Sequence, residues 1–457
     1  MRHNLRLAGG QWSVLRAHLF PGDELEAVAL LLCGLHRQEH LTALCVRDIR
    51  LVPHDCCRRE PDLLTWPTEF GLPFYNEALK RDLAVVKIHS HPGGYPDFSR
   101  QDDRSDREFF ESLTGWTDSH VPHGSAVMLP DGGIFARVVG PDGGFVPVDR
   151  VAVAGPDLHF FDREQAATTA EVDLRNIQAF GEGTVRQLKR LRVGVAGCSG
   201  TGSWLVEMLA RLGIGEIVLV DPDVVTRKNL NRIINATQAD AEAAAPKVLV
   251  ALRSIQAMGF GSKVMPIQKD LRDTGAIRAL AGCDVLFGGF DSADGRDILN
   301  RISTSYCLPY FDVGVRLDAD GQGGIAYIGG ACHYLQPGGS SLISRKVITP
   351  EGIAADSLHR HDLAEYARRR KAGYIHGVAV DRPAVCSVNG LVASLAVNDF
   401  LARLHRFRDE NNDTTDAVFL NLTGNYLETR SFPEPCPVLS PKTGRADQPP
   451  LLDLPGL

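Results

Sequence analysis

The chain has 457 residues, 44% of them hydrophobic and 23% charged, with a formal net charge of -7. That length accommodates two or three domains with separate cores, and the composition is ordinary for a globular protein. The acidic balance argues against a general nucleic-acid binder, because phosphate neutralisation favours a basic face, and no apolar run reaches the roughly 18 residues that span a bilayer.

Ten cysteines with no framework of close pairs apart from Cys56-Cys57 read as reduced thiols, so a cytoplasmic location is expected. Early in the chain, Asp23 to Leu35 holds the apolar run Ala27-Val28-Ala29-Leu30-Leu31-Leu32-Cys33. Periodicity leaves a buried strand and a helix end both open there. Residues 83–88 read as a buried strand that delivers His89 and His91 at its end. Gly93-Gly94 and Pro96 mark a loop, and Ser99 opens a helix with Asp102 in its first turn. Short strands are expected near residues 126–129, 134–139 and 145–148, separated by two Asp-Gly-Gly turns. From Leu191 the pattern changes to strands at 192–196, 216–220 and 285–288 alternating with helices at 200–212 and 247–258. That βαβ rhythm predicts a mostly parallel, doubly wound sheet. After Phe432 the chain holds seven prolines in 25 residues, which predicts a flexible linker or partner-binding extension.

His89-Ser90-His91-Pro92, followed by Ser99 and Asp102, supplies two imidazoles and a carboxylate. These suit Zn²⁺ with a fourth position left open, as catalytic zinc sites have. A strand end and a helix cap without metal is the alternative. With an upstream glutamate, the spacing resembles the JAMM (JAB/MPN) metalloprotease family over about residues 15–155. The resemblance implies a peptidase or isopeptidase acting on ubiquitin-like proteins, with zinc on His89, His91 and Asp102. It assigns a glutamate as general base and Ser99 to the oxyanion. Glu24 and Glu26 both precede the apolar run, and the family's placement of its glutamate selects Glu26.

Val195 to Gly202 joins a strand to a helix through a glycine-rich turn, whose backbone N–H groups can cradle phosphate. Asp221, nineteen residues after Gly202, stands where an acid can hold ribose hydroxyls. Alone these features fit any dinucleotide enzyme. Their continuation, Asp221-Pro222-Asp223 through Asn229-Leu230-Asn231-Arg232, resembles the ubiquitin-activating family that includes ThiF, MoeB and HesA, over about residues 170–432. The resemblance implies adenylation, with ATP and Mg²⁺, of the C-terminal glycine of a ubiquitin-like or sulfur-carrier protein. It places Gly197, Gly200, Gly202 and Asp221 around the nucleotide and Asn229 and Arg232 near the phosphates. Lys247 matches the family lysine, Asp291 the acid that binds Mg²⁺, and Arg175 an arginine lent to the neighbouring subunit, so a homodimer through this domain is expected. A carboxylate attacking the α-phosphate brings anions together, and such cations offset the repulsion. Cys386 matches the family's thioester or persulfide cysteine; a small buried residue at a helix start is its alternative. The family's structural zinc is not expected, since Cys332 and Cys436 lack Cys-x-x-Cys partners. Arg368 to Lys371 reads as a solvated face or as a contact for an acidic carrier.

The predicted architecture is an α/β JAMM/MPN zinc peptidase domain over residues 1–155 and a Rossmann-like ThiF-type domain over 156–432, with a flexible tail over 433–457. The expected protein is a bacterial-type bifunctional enzyme that activates a ubiquitin-like protein and trims or deconjugates it, with a conjugating enzyme as a further partner. Sulfur-carrier activation and processing for cofactor or cysteine synthesis would use the same sites. A scaffold in which one half only docks the carrier is the non-enzymatic alternative.

Overall fold

The computed structural model describes residues 1–117, 121–140, 142–163, 167–372 and 385–457. Its contacts divide into two units: Met1–Gln165 with Thr304–Cys307 and Pro441–Leu457, and Ala166–Ser303 with Leu308–Ser440. Both are α/β.

Among the described residues, unit 1 carries a nine-stranded mixed sheet whose middle is Arg2–Ala8, Leu41–Leu51, Val28–Gln38, Ala84–Ser90 and Gly124–Met128, in that spatial order. The ambiguous apolar run is thus the strand Val28–Gln38, antiparallel to both of its neighbours. Its alternate residues enter different cores, Ala29, Leu31, Cys33 and Leu35 one cluster, Leu30 and Leu32 the other. A strand buried on both faces shows no polar alternation, which is why periodicity could not separate it from a helix. Helix Arg100–Thr117 adds Phe110 and Leu113 to the second cluster.

Two boundaries differ from the sequence expectation. Strand Leu158–Asp162 pairs antiparallel with Arg150–Ala154, so unit 1 continues past residue 155. The proline-rich segment is packed where flexibility was expected: Ala446 and Leu452 are buried, and Asp447 meets His36 Nδ1 at 3.0 Å and accepts the Arg37 N–H at 3.1 Å. Prolines at compatible positions lower the entropy of the unfolded chain and so permit packing of a short segment.

Among the described residues, unit 2 holds an eight-stranded sheet. Five parallel strands come first, in the order Lys263–Ile267, Glu216–Val220, Arg192–Ala196, Val285–Gly288 and Tyr310–Ala319. Three antiparallel strands, Ile325–Leu335, Ala417–Asn421 and Tyr426–Arg430, extend it. The chain reverses its direction of strand addition between Arg192–Ala196 and Val285–Gly288, and ligands bind at such a switch point. The glycine turn leaves the first of these strands there. No helix among the described residues is long and apolar enough to cross a membrane.

His123, 2% exposed, accepts the Val85 N–H on Nδ1 at 3.0 Å, and burial pushes its pKa down to about 4. Its folded value lies below its ordinary one of about 6.5, so the unfolded chain takes up the proton first as pH falls. The associated stability is complete above pH ~6.5 and is lost on the way down to pH ~4, with about 2 kcal/mol gone at pH 5. Urea unfolding at pH 7 and pH 5 is expected to show this loss, and His123→Asn to reduce it. An equal loss in the variant would remove His123 as the cause.

Candidate functional site: a metal centre and a nucleotide turn

In unit 1, strand Ala84–Ser90 and the residue after it bring His89 and His91 to the first turn of helix Arg100–Thr117. His89 Nε2 stands 3.0 Å from Asp102 Oδ1, His91 Nε2 3.4 Å from Oδ2, and the two Nε2 atoms are 3.1 Å apart. Glu26 joins the histidines in a buried cluster whose ligand atoms all lie within 4.8 Å of one another. Tetrahedral ligands about 2.0–2.1 Å from a zinc ion lie roughly 3.3–3.4 Å apart. The observed spacings fall near that edge length, so this donor set fits Zn²⁺. The His91 Nδ1–H donates to the Tyr95 carbonyl at 2.9 Å, which leaves the Nε2 lone pair facing the cluster.

Opposing effects set the charges. Burial pushes the Glu26 carboxyl up to about 7; His91 opposes this and Asp102 adds to it. Burial also acts to raise Asp102, but hydrogen bonds from His89 and His91 outweigh it and hold the carboxyl well below the usual range. Burial lowers His89 despite its bond to Asp102; for His91 it is outweighed by Asp102 and Tyr95, which raise it.

Ser99 and Asp102 bond reciprocally: the Ser99 N–H donates to Asp102 Oδ2 at 2.7 Å and the Asp102 N–H to Ser99 Oγ at 3.1 Å. The Ser99 hydroxyl therefore caps the helix, and its side chain helps hold the Asp102 carboxyl low. Sequence reading missed Ser90, whose Oγ accepts the Ala27 N–H at 3.0 Å and ties the Glu26 segment to the histidine strand. It also missed Lys87, whose signal was a lone cation in an apolar strand. Lys87 lies 5% exposed and pairs with Asp106, which also accepts Arg137 Nη2–H at 2.7 Å. The Arg137 guanidinium sits 3.8 Å from the ring centroids of both Phe98 and Phe145. One buried network thus joins the histidine strand, the Asp102 helix and the Ser99 loop. A cleft of about 700 Å³, lined by Trp66, Tyr75, Arg104 and Phe109 among others, shares Lys87, Gln101 and Ser105 with the metal-site lining.

In unit 2 the turn after Arg192–Ala196 depends on glycine. Gly197 has φ +87°, and a Cβ on Gly202 would come within 1.7 Å of the Gly197 carbonyl oxygen. Helix Gly200–Arg211 therefore starts hard against the turn, with its first N–H groups facing the switch point. Asp221 accepts the Cys198 N–H at 2.7 Å and the Asp223 N–H at 2.9 Å. Burial raises its pKa, and Lys247 opposes that shift. Lys247 Nζ lies 2.7 Å from Asp223 Oδ2 and 3.7 Å from Asp221 Oδ1. Arg232 runs beside Gly200, while the side-chain Oδ1 of Asn229 accepts the Thr226 N–H and hydroxyl.

The remaining expected residues sit further out. Asp291 is exposed in the turn between Val285–Gly288 and helix Ala293–Ser305, two residues after Gly289, which packs on the glycine turn. Arg175 is exposed on helix Leu174–Leu188 and bonds Gln178 at 2.9 Å. Cys386 is half-buried at the start of helix Cys386–His405; Pro383 and Ala384 of its motif lie outside the described residues. Cys332 and Cys436 are buried free thiols.

A Rossmann-like sheet with a glycine turn, joined to an α/β unit bearing a His-x-His and aspartate cluster, defines a fusion of an activating-enzyme fold with a JAB-type fold. The chain belongs to the ThiF family, whose pattern residues 173–438 match, and residues 10–131 match the prokaryotic homologs of the JAB domain. Among curated relatives, the SAMP-activating enzyme E1 of Haloferax volcanii is 30% identical over 118 residues, 26% of this chain and 43% of that protein. The ubiquitin-activating enzyme E1-like protein of Saccharomyces cerevisiae is 29% identical over 140 residues, 30% of this chain and 22% of its own. The matches thus span under half of either relative. The crystal structure of E. coli MccB with ATP aligns at TM-score 0.45 and 17% identity, over 60% of this chain and 74% of that one.

Removing one partner of a buried ionic network costs about 3–5 kcal/mol, because it leaves the others charged and unpaired. Asp106→Ala should destabilise unit 1 by about that much in urea unfolding. A loss below about 1 kcal/mol would mean that Lys87 and Arg137 find other partners at little cost.

Proposed function

We propose that the chain is a bifunctional enzyme. Unit 2 would adenylate the C-terminal glycine of a ubiquitin-like or sulfur-carrier protein, and unit 1 would hydrolyse peptide or isopeptide bonds at that same terminus. The observation that supports this reading is the presence in one chain of two chemically opposite clusters. Imidazoles and carboxylates converge in unit 1; a glycine turn, a buried lysine and an arginine gather in unit 2.

In unit 1, His89, His91 and Asp102 would hold Zn²⁺, which supplies Lewis acidity toward a carbonyl and water. Glu26, in the buried cluster with the two histidines, can take a proton from water and return it to the departing amine. The Ser99 hydroxyl donates to the developing oxyanion. The neighbouring cleft of about 700 Å³ is large enough for an extended peptide.

In unit 2, the first N–H groups of helix Gly200–Arg211 face the phosphates and Asp221 the ribose. Lys247 and Arg232 offset the charge of the attacking carboxylate, and Asp291 would hold Mg²⁺. Arg175, exposed on its helix, is assigned to the nucleotide site of a second copy, so the working enzyme is a homodimer.

Two substitutions separate the activities. Glu26→Gln should lower peptidase activity about 100-fold or more while retaining stoichiometric zinc, because it removes a base and not a ligand. Asp291→Ala should lower carrier-dependent ATP–pyrophosphate exchange by a similar factor and leave the peptidase intact. Loss of both activities in either variant would contradict two independent sites.

The arginine assignment has its own test. Mixing Arg175→Ala and Asp291→Ala proteins should restore exchange activity as subunits trade, since a heterodimer has one site with both lesions and one with neither. No recovery, with subunit exchange shown separately, would place Arg175 outside the neighbour's site.

A further inference from the structure

Asn389 stands three residues into helix Cys386–His405 and is 4% exposed. Its Oδ1 accepts a hydrogen bond from the Thr201 hydroxyl at 3.2 Å. Its Nδ2 rests against Gly200, where an added Cβ would come within 2.4 Å of it. The next residue, Gly390, faces the indole of Trp204, with a Cβ there falling 3.0 Å from the ring. Helices Gly200–Arg211 and Cys386–His405 therefore meet closely at their first turns, through small residues and one directed hydrogen bond.

Gly200 and Thr201 are also the residues whose N–H groups begin the phosphate-facing helix. What a bound nucleotide would order is therefore what Asn389 already holds. Cys386 lies three residues before Asn389, which puts both on one face of the same first turn. The observed contacts run from Gly200 and Thr201 to Asn389, and Cys386 shares the first turn of the helix with Asn389.

We propose that Asn389 is a positioning residue through which nucleotide occupancy of the glycine turn governs the reactivity of the Cys386 thiol. The proposal rests on the activating role assigned to unit 2 above. No bond changes at Asn389 itself; it fixes the first turn of one helix to the first turn of the other.

The test uses the full-length protein, ATP with Mg²⁺, and iodoacetamide, with alkylation of each cysteine quantified by peptide mass spectrometry. Exposed Cys56 is the internal reference. ATP binding is measured separately by calorimetry, so that every protein is assayed at saturation. In the wild type, ATP should slow alkylation of Cys386 about 5-fold or more and leave Cys56 unchanged. Asn389→Ala and Thr201→Val should abolish the ATP effect on Cys386, and Thr201→Ser, which keeps the hydroxyl, should retain it. If Asn389→Ala fails to fold, the Val and Ser variants at position 201 decide the matter. ATP binding without a Cys386 response in the wild type overturns this inference alone, as does a response that survives Thr201→Val. Absence of ATP binding overturns the activating reading and the inference with it.

Discussion

Desolvation at the ends of buried strands is the constraint on which both sites depend. Strand Ala84–Ser90, with His89 next to its end, and strand Arg192–Ala196 are sealed on both faces, so polar groups placed there lose water and must find protein partners or ions. In unit 1 the outcome is a cluster of lone pairs closer together than neutral groups would choose, backed by a charge network that is itself buried. In unit 2 the outcome is a turn whose Gly197 and Cys198 N–H groups are taken up by the Val220 carbonyl and the Asp221 carboxylate. Take away the burial and neither arrangement has a reason to form.

The same constraint explains the contrast in charge between the sites. Around the histidines the surplus is negative, with Glu26 and Asp102 balanced in part by Lys87, whose charge is already committed to Asp106. Around the glycine turn the carboxylates Asp221 and Asp223 hold Lys247 in place, so the cation is preorganised and need not be recruited from solvent.

Much of this was legible in the sequence because its signals are local. His89, His91, Ser99 and Asp102 lie within fourteen residues, and the glycine turn within eight. Strand Ala84–Ser90 and the βαβ alternation after Leu191 were readable for the same reason. What sequence reading left open or missed depends on non-local contact. The strand identity of Val28–Gln38 required knowing that both its faces are covered. Lys87 and Arg137 gain meaning only through Asp106 and two phenylalanines. Ser90 matters through Ala27, and Asn389 through Thr201, 188 positions away. The proline-rich segment misled because composition reports the tendency of an isolated chain and not a groove waiting for it.

That last segment bears on the order of assembly during synthesis. Unit 1 contains Met1–Gln165 but also Pro441–Leu457, with Asp447 answering the buried His36. A ribosome delivers the first part long before the second, with all of unit 2 emerging between them. Domains generally fold as they emerge, N-terminal first. Here the N-terminal sheet forms without Asp447 beside His36 until Pro441–Leu457 has been made. Unit 1 therefore begins before unit 2 and receives Pro441–Leu457 after it, so a chain cut short ahead of Pro441 would carry a first unit without that segment.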